Sequence, residues 1–294
     1  MFNNILIGVD GWQGGRDAIA LARELAAPEA EFTLAHVCGP FDSRSAAAAF
    51  PLEMAESQQM LERERELAAI DAQLLVRGPW AAGRGLHDLA DGQQADLLVV
   101  GSTRHGRLGR ALIGDDTRAA LDGAPCAIAV ASSGYALAPH RLHRLGVGYD
   151  GSPESENALS TARELAAAHG GTIKAFRVVS LEEVREEKPI PADWPDAIDE
   201  LIESHAERLA KLDGVRGVVS YGGPREELVH ACEKLDLLIV GSRGLGPVDR
   251  LFHSVSRYLV GHVTCPLLVV HRKAVTAGLP REAEDQAQAI PRGS

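Results

Sequence analysis

The chain has 294 residues, 45% of them hydrophobic and 24% charged, with a formal net charge of −11. That balance argues against nucleic acid as the main partner, because phosphate backbones are bound through Lys and Arg neutralisation, yet it leaves room for a single nucleotide held at a helix N-terminus. The length suits two ordinary domains, no apolar run approaches the roughly 18 residues needed to span a membrane, and no leader is read, so a cytoplasmic protein with no membrane contact is expected.

In chain order, residues 5–10 read as a buried strand and 14–27 as a helix, with Ile19, Ala22, Leu25 and Ala26 at helical spacing. Residues 32–38 read as a second strand. Residues 52–70 form a long charged helix carrying Met60, Leu61, Leu67 and Ile70. A strand over 72–76, a helix over 83–91 and a strand over 96–101 follow. Next come a Gly/Arg-rich loop, a helix near 116–121 and a strand over 126–131. The order then repeats, with strands over 144–150, 172–179, 215–221, 235–241 and 266–271 and helices over 154–169, 194–212, 224–234 and 254–261.

The repetition extends to letters. Asp96-Leu97-Leu98-Val99-Val100-Gly101-Ser102 returns 140 residues later as Asp236-Leu237-Leu238-Ile239-Val240-Gly241-Ser242. Ala22-Arg23-Glu24-Leu25-Ala26 returns as Ala162-Arg163-Glu164-Leu165-Ala166, and Asp10-Gly11 as Asp150-Gly151. A period of 140 residues is far beyond the roughly 20–50 of a solenoid. Continuous apolar strands separated by helices imply parallel sheets covered on both faces. The expected fold class is therefore α/β, as two tandem doubly wound domains, each with a five-stranded parallel sheet flanked by helices. The boundaries are 1–132, a linker over 133–143, 144–272, and a polar tail over 273–294.

In open α/β sheets, ligands bind at the C-terminal ends of the strands. Asp10-Gly11 and Asp150-Gly151 end strand one of each copy. A carboxylate there can accept hydrogen bonds from ribose hydroxyls, and the glycine admits a close ligand. The competing reading is a helix-capping aspartate with a turn glycine. The second feature is the loop after strand four, Gly241-Ser242-Arg243-Gly244 through Ser254-Val255-Ser256. Its glycines free backbone N–H groups to surround an anion, and Ser254 and Ser256 open the next helix.

This loop resembles the nucleotide loop of the universal stress proteins, G-x2-G-x9-G-(S/T), followed by V-(S/T) and a C-P-(V/L)-(L/V)-V-V strand, here Cys265-Pro266-Leu267-Leu268-Val269-Val270. Gly148-Tyr149-Asp150-Gly151-Ser152 also resembles the V-D-G-S opening of that family. The resemblance covers roughly residues 4–131 and 144–271. It implies the tandem form of the family and an adenine nucleotide alpha hydrolase-like fold. It also implies ATP as ligand (with Mg only if ATP is bound), an aspartate near the ribose, a strand-two valine near the adenine, and the loop on the phosphates. Carried over, the second copy offers Asp150, Gly151, Val178, Gly241, Gly244, Ser254, Val255 and Ser256. The first offers Asp10, Val37, Gly101 and Gly114. The last strands, over 127–130 and 267–270, resemble the edge strands that pair in this family. They imply an intrachain pseudo-dimer, with room for a further homodimer.

Both copies depart from the pattern. In the first, Arg104 stands for the second glycine and Asp115, followed by Asp116, for the Ser/Thr. Two unit charges about 4 Å apart interact by roughly 4 kcal/mol at an effective dielectric near 20. This copy is expected to bind ATP weakly unless Arg104 or a cation compensates. In the second copy one residue is missing between Arg250 and His253, and His253 replaces the third glycine. Ser254-Val255-Ser256 remains, so the second site is the better preserved.

Other features read as structural. His140 and His143 suit a solvated linker rather than a metal site, and His36 a packed, hydrogen-bonded side chain. Glu62-Arg63-Glu64-Arg65-Glu66 suits a solvated helix face. Arg107, Arg110, Arg243 and Arg250 flank the loops. Cys38, Cys126, Cys232 and Cys265 show no C-x-x-C spacing, so neither zinc nor a redox dithiol is suggested, and Cys126 and Cys265 match in the repeat as buried structural residues. There is no G-x-S-x-G elbow and no Walker A pattern, so no catalytic residue and no metal ligand is named. The expected function is adenine-nucleotide binding or sensing in a stress response, acting through an unidentified protein partner. The alternatives are a slow ATP hydrolase and an interaction protein whose sites have decayed.

Overall fold

A computed structural model describes residues 1–39, 44–102, 125–138, 141–181, 183–184, 194–242 and 254–270. The first half contains β1 (Phe2–Gly8), α1 (Gln13–Leu25), β2 (Ala26–Val37), α2 (Arg44–Ala68), β3 (Gln73–Arg77), α3 (Ala82–Gly92), β4 (Leu97–Gly101) and β5 (Ala127–Ala131). A single 3-10 turn, Tyr135–Leu137, follows. The second half contains β6 (Arg144–Gly148), α4 (Pro153–His169), β7 (Thr172–Val179), α5 (Trp194–Leu209), β8 (Val215–Tyr221), α6 (Pro224–Cys232), β9 (Leu237–Gly241), α7 (Ser254–His262) and β10 (Leu267–Val270). The helix expected near 116–121 and the tail over 273–294 lie outside the described residues.

The strands form one ten-stranded sheet in the order β3-β2-β1-β4-β5-β10-β9-β6-β7-β8. Strand pairs within each half are parallel, as continuous apolar strands linked by helices require. The halves meet at β5 and β10, which pair antiparallel with Leu267 opposite Val130, Leu268 opposite Ala129 and Val269 opposite Ile128. This is the pairing expected of the two last strands. Every residue of both strands is buried. Alternation sends Ala129 and Leu268 into the apolar layer under α1 and α4, and Ile128, Val130, Leu267 and Val269 into the layer under α3, α6 and α7. Each layer draws side chains from both halves, so the core crosses the seam unbroken.

Aspartates pin the start of strand one in both halves. Asp96 accepts from the backbone N–H groups of Asn3 (2.8 Å) and Asn4 (3.0 Å). Asp236 accepts from the N–H groups of His143 (3.1 Å) and Arg144 (2.8 Å), and also from the Arg144 guanidinium. This explains why the repeated strand-four segment begins with Asp. Burial would raise the Asp236 carboxyl, but its bonds to Arg144 outweigh that and hold it below its ordinary range.

Several expectations change in three dimensions. The second strand begins at Ala26, directly after α1, rather than at Phe32. Helix α2 begins at Arg44 and runs through Pro51, rather than starting at Leu52. Glu64 is not on a solvated face: it is 2% exposed and takes two parallel hydrogen bonds from Arg16, each 2.9 Å. A buried carboxylate needs such a partner. Leu67, by contrast, is 66% exposed. The segment between the halves is docked through two side chains, while His143 is exposed as its linker reading expects. Tyr135 and Leu142 are buried, and the fully buried Asp17 of α1 accepts from the N–H groups of Gly134 (2.7 Å) and Ala136 (2.8 Å). His36 behaves as expected, its Nδ1 lying 2.7 Å from the Val9 carbonyl.

The first turns of α1 and α4 rest on the ends of β4 and β9. A Cβ placed on Gly241 would lie 2.6 Å from the Glu154 carbonyl oxygen, and one on Gly101 would overlap the Gly14 carbonyl. Only glycine permits this approach. Gly241→Ala and Gly101→Ala are each expected to lower stability by about 2–3 kcal/mol in urea denaturation, whereas Gly39→Ala, with nothing within 4 Å among the described residues, should change it little. Asp17→Ala removes the acceptor of two part-buried backbone donors and is expected to cost about 1–2 kcal/mol by the same measurement. The folded-state pKa of Asp236 lies below its unfolded value. Its stabilisation is therefore full above the unfolded value of about 4 and is lost as pH falls through the folded value. Asp236→Asn should be less stable than the parent at pH 7, and the difference should narrow as pH falls below about 4.

Candidate functional site

In each half the chain leaves strand one toward strand two on one side, while strand four lies on the other. The crevice where the winding reverses is the ligand position of doubly wound sheets. The topology brings Asp10 beside the end of β4 at Gly101 and Ser102, and Asp150 beside the end of β9 at Gly241 and Ser242. Val37 and Val178 lie on the opposite flank, on β2 and β7, which pair with β1 and β6. These sequence-selected residues therefore converge on corresponding places in the two halves.

The two aspartates make the same turn. Asp10 Oδ1 accepts from the N–H of Trp12 and Asp150 Oδ1 from the N–H of Ser152, each at 3.0 Å. Gly11 and Gly151 sit in the left-handed region at φ +77° and +81°. This turn orients a carboxylate oxygen and delivers the chain into the following helix. Beyond it the halves differ. Ser152 caps α4, accepting from the N–H of Ser155 at 3.2 Å, and Pro153 follows at the first turn. Trp12 holds the corresponding place before α1 without a capping side chain and is 76% exposed.

The glycines divide by role. Gly101 and Gly241 were expected to free backbone around an anion, but their missing side chains admit the starts of α1 and α4. Gly114 and Gly244 lie outside the described residues, as do Arg104, Asp115, Arg243, Arg250 and His253. Helix α7 begins at Ser254, as the loop reading requires, and Val255 and Ser256 in its first turn are half-buried. Val37 packs against α3, where a Cβ on Gly85 would meet its methyl groups. Val178 is buried and opens instead onto a cavity of about 180 Å³ beneath α6, with Phe176, Val218, Ser220 and His230.

Sequence reasoning missed what lies over the first crevice. The forward half of α2 crosses the ends of β1, β2 and β3. A Cβ on Gly11 would be 2.9 Å from Met60 Cγ, the Cys38 thiol lies 3.9 Å from Met54 Sδ and 3.5 Å from Ser57 Oγ, and the Phe50 ring approaches Gly78. The extra helical turns before Leu52 were the available signal, obscured by Pro51. Ser102 Oγ, buried at the end of β4, has no hydrogen-bond partner among the described residues. Burial, then the hydrogen bond to Glu156, pushes the Tyr149 phenol up to about 12, so it stays protonated beside Asp150. Among the described residues there is no group of three or more His, Cys, Asp or Glu that could hold a metal, and no helix long and apolar enough to cross a membrane.

Comparison with known proteins agrees with this architecture. The model of the universal stress protein family matches residues 1–132 and again 141–271. A universal stress protein of Mycobacterium tuberculosis strain H37Rv is 32% identical over 188 residues, a match covering 61% of this chain and 63% of that relative, under two thirds of its length. One from Mycolicibacterium smegmatis is 28% identical over 287 residues, covering 90% of this chain and 96% of its own. The crystal structure of a universal stress protein from Archaeoglobus fulgidus shares the fold with a TM-score of 0.67, covering 92% of this chain and 98% of that one at 16% identity. With the family model matched twice along a chain whose two halves build corresponding doubly wound sheets, this protein belongs to the universal stress protein family.

Proposed function

We propose that the protein binds an adenine nucleotide, ATP foremost, at the crevice of its second half, and acts in the cytoplasm as a nucleotide-sensing module of a stress response rather than as a dedicated enzyme. One observation carries this reading. The Asp150-Gly151 turn, with its carboxylate oriented, stands at the winding reversal beside β9, whose loop leads into α7 at Ser254. Asp150 suits the ribose hydroxyls. The N-terminus of α7, with Val255 and Ser256, suits a phosphate, since the leading N–H groups and the dipole of a helix favour negative charge there. Gly244 in the loop, and a magnesium ion arriving with ATP, complete the proposed site. In the first half the corresponding turn lies under Met60, and Asp115 and Asp116 in its loop oppose phosphate charge. We assign it no nucleotide. In this reading residues 1–132 and 144–272 are two domains, and ligand in the second alters a loop that a partner protein recognises.

The interaction-protein reading has its own support. Gly101 and Gly241 are accounted for by helix packing and need no ligand. Calorimetry with ATP, ADP, AMP and cyclic AMP separates the readings. One equivalent of nucleotide is expected to bind, and Asp150→Ala should weaken it by roughly 10–100-fold, the loss of hydrogen bonds to a charged group, while Asp10→Ala leaves it unchanged. Heat from none of the four ligands would favour the interaction protein. ADP forming faster than in a protein-free blank would favour the hydrolase.

A further inference from the structure

Cys232 ends α6 and Cys265 stands two residues before β10. Sequence spacing suggested no dithiol, but the fold brings these two side chains into a hydrogen bond with one another. Both are free thiols, 2% and 6% exposed. Both line a cavity of about 330 Å³ at the seam between the halves, walled also by Ser133, Tyr135, Arg141 and Asp236. The first half provides an internal contrast. Cys126 holds the strand position of Cys265, but Gly92 stands where the second half has Cys232. Cys126 has no thiol at the matching place, and burial and then the charge of Asp96 push it up to about 12. Cys265 is also held well above the ordinary thiol range, but here the hydrogen bond to Cys232 comes first and burial second.

We propose that Cys232 and Cys265 are a dithiol oxidised by small hydroperoxides that enter the seam cavity. One of the two sulfurs, as its thiolate, attacks the O–O bond, forming a sulfenic acid and releasing hydroxide, or the corresponding alkoxide. The other sulfur then attacks the sulfenic sulfur, the S–S bond forms, and water departs with the proton of that second thiol. For hydrogen peroxide, two thiols lose two electrons and one peroxide becomes two waters. The bond ties the end of α6 to the entry of β10, the strand that joins the halves.

The test uses the full chain, reduced and then exposed to hydrogen peroxide, quenched by alkylation and peptide-mapped by mass spectrometry. Free thiols should fall from four to two, with Cys232 and Cys265 recovered as one linked peptide that dithiothreitol separates. In Cys265→Ser and in Cys232→Ser, dimedone should label the sulfur of the pair that remains. Cys126→Ser should oxidise like the parent. A linkage through Cys38 or Cys126, or four thiols surviving peroxide that oxidises free glutathione, would overturn the proposal. The parent peptide map decides the linkage even if a serine variant fails to fold.

Discussion

Leu267, Leu268 and Val269 face Val130, Ala129 and Ile128 across an antiparallel seam, and these three pairings make two five-stranded sheets into one. Apart, β5 and β10 would each present a fully apolar strand with unpaired N–H and C=O groups, which is the template for unwanted association. Together they close each other's edge and carry both apolar layers across the boundary. The neighbouring contacts reinforce the same alignment. Asp17 fastens the connecting turn to α1, His169 Nε2 lies 2.8 Å from the Glu24 carbonyl, and the N-terminal amine pairs with Glu164. The exposed edges are left to β3 and β8 at the far ends.

The geometry at the strand ends follows from parallel pairing. Strand one lies between strands two and four in each half, so its terminal aspartate stands at the reversal of winding. The helix that follows must begin close to strand four, and glycine at position 101 or 241 makes room for it. A residue type that suggested a phosphate cradle thus serves first to let two backbones meet. The turn glycines Gly11 and Gly151 are different: their left-handed conformation turns the chain from strand into helix.

Duplication preserved the scaffold and let its attachments drift. Ser152 caps a helix where Trp12 stands exposed. Asp17 grips the connecting turn where the second half has Asn157. Cys232 meets Cys265 where Gly92 leaves Cys126 alone. Each difference lies near a crevice or the seam, whereas strand four, buried along its length in both halves, kept nearly the same letters. A buried strand tolerates little change in volume.

The elements, their order and the doubling were legible from sequence because hydrophobic periodicity and turn residues are local properties. The strands 172–179 and 215–221 have the expected limits, and the Asp-Gly turns lie at the end of strand one. Contacts between residues far apart in the chain were not legible. Nothing in Glu62-Arg63-Glu64-Arg65-Glu66 marks the middle glutamate as the one that meets Arg16, and no spacing reveals that Cys232 and Cys265 share a cavity. Sequence by itself determined two α/β units and where their strands would end. Tertiary structure alone decided which charges are buried, which glycines separate backbones and which thiols meet, because those outcomes depend on the packing of one element upon another.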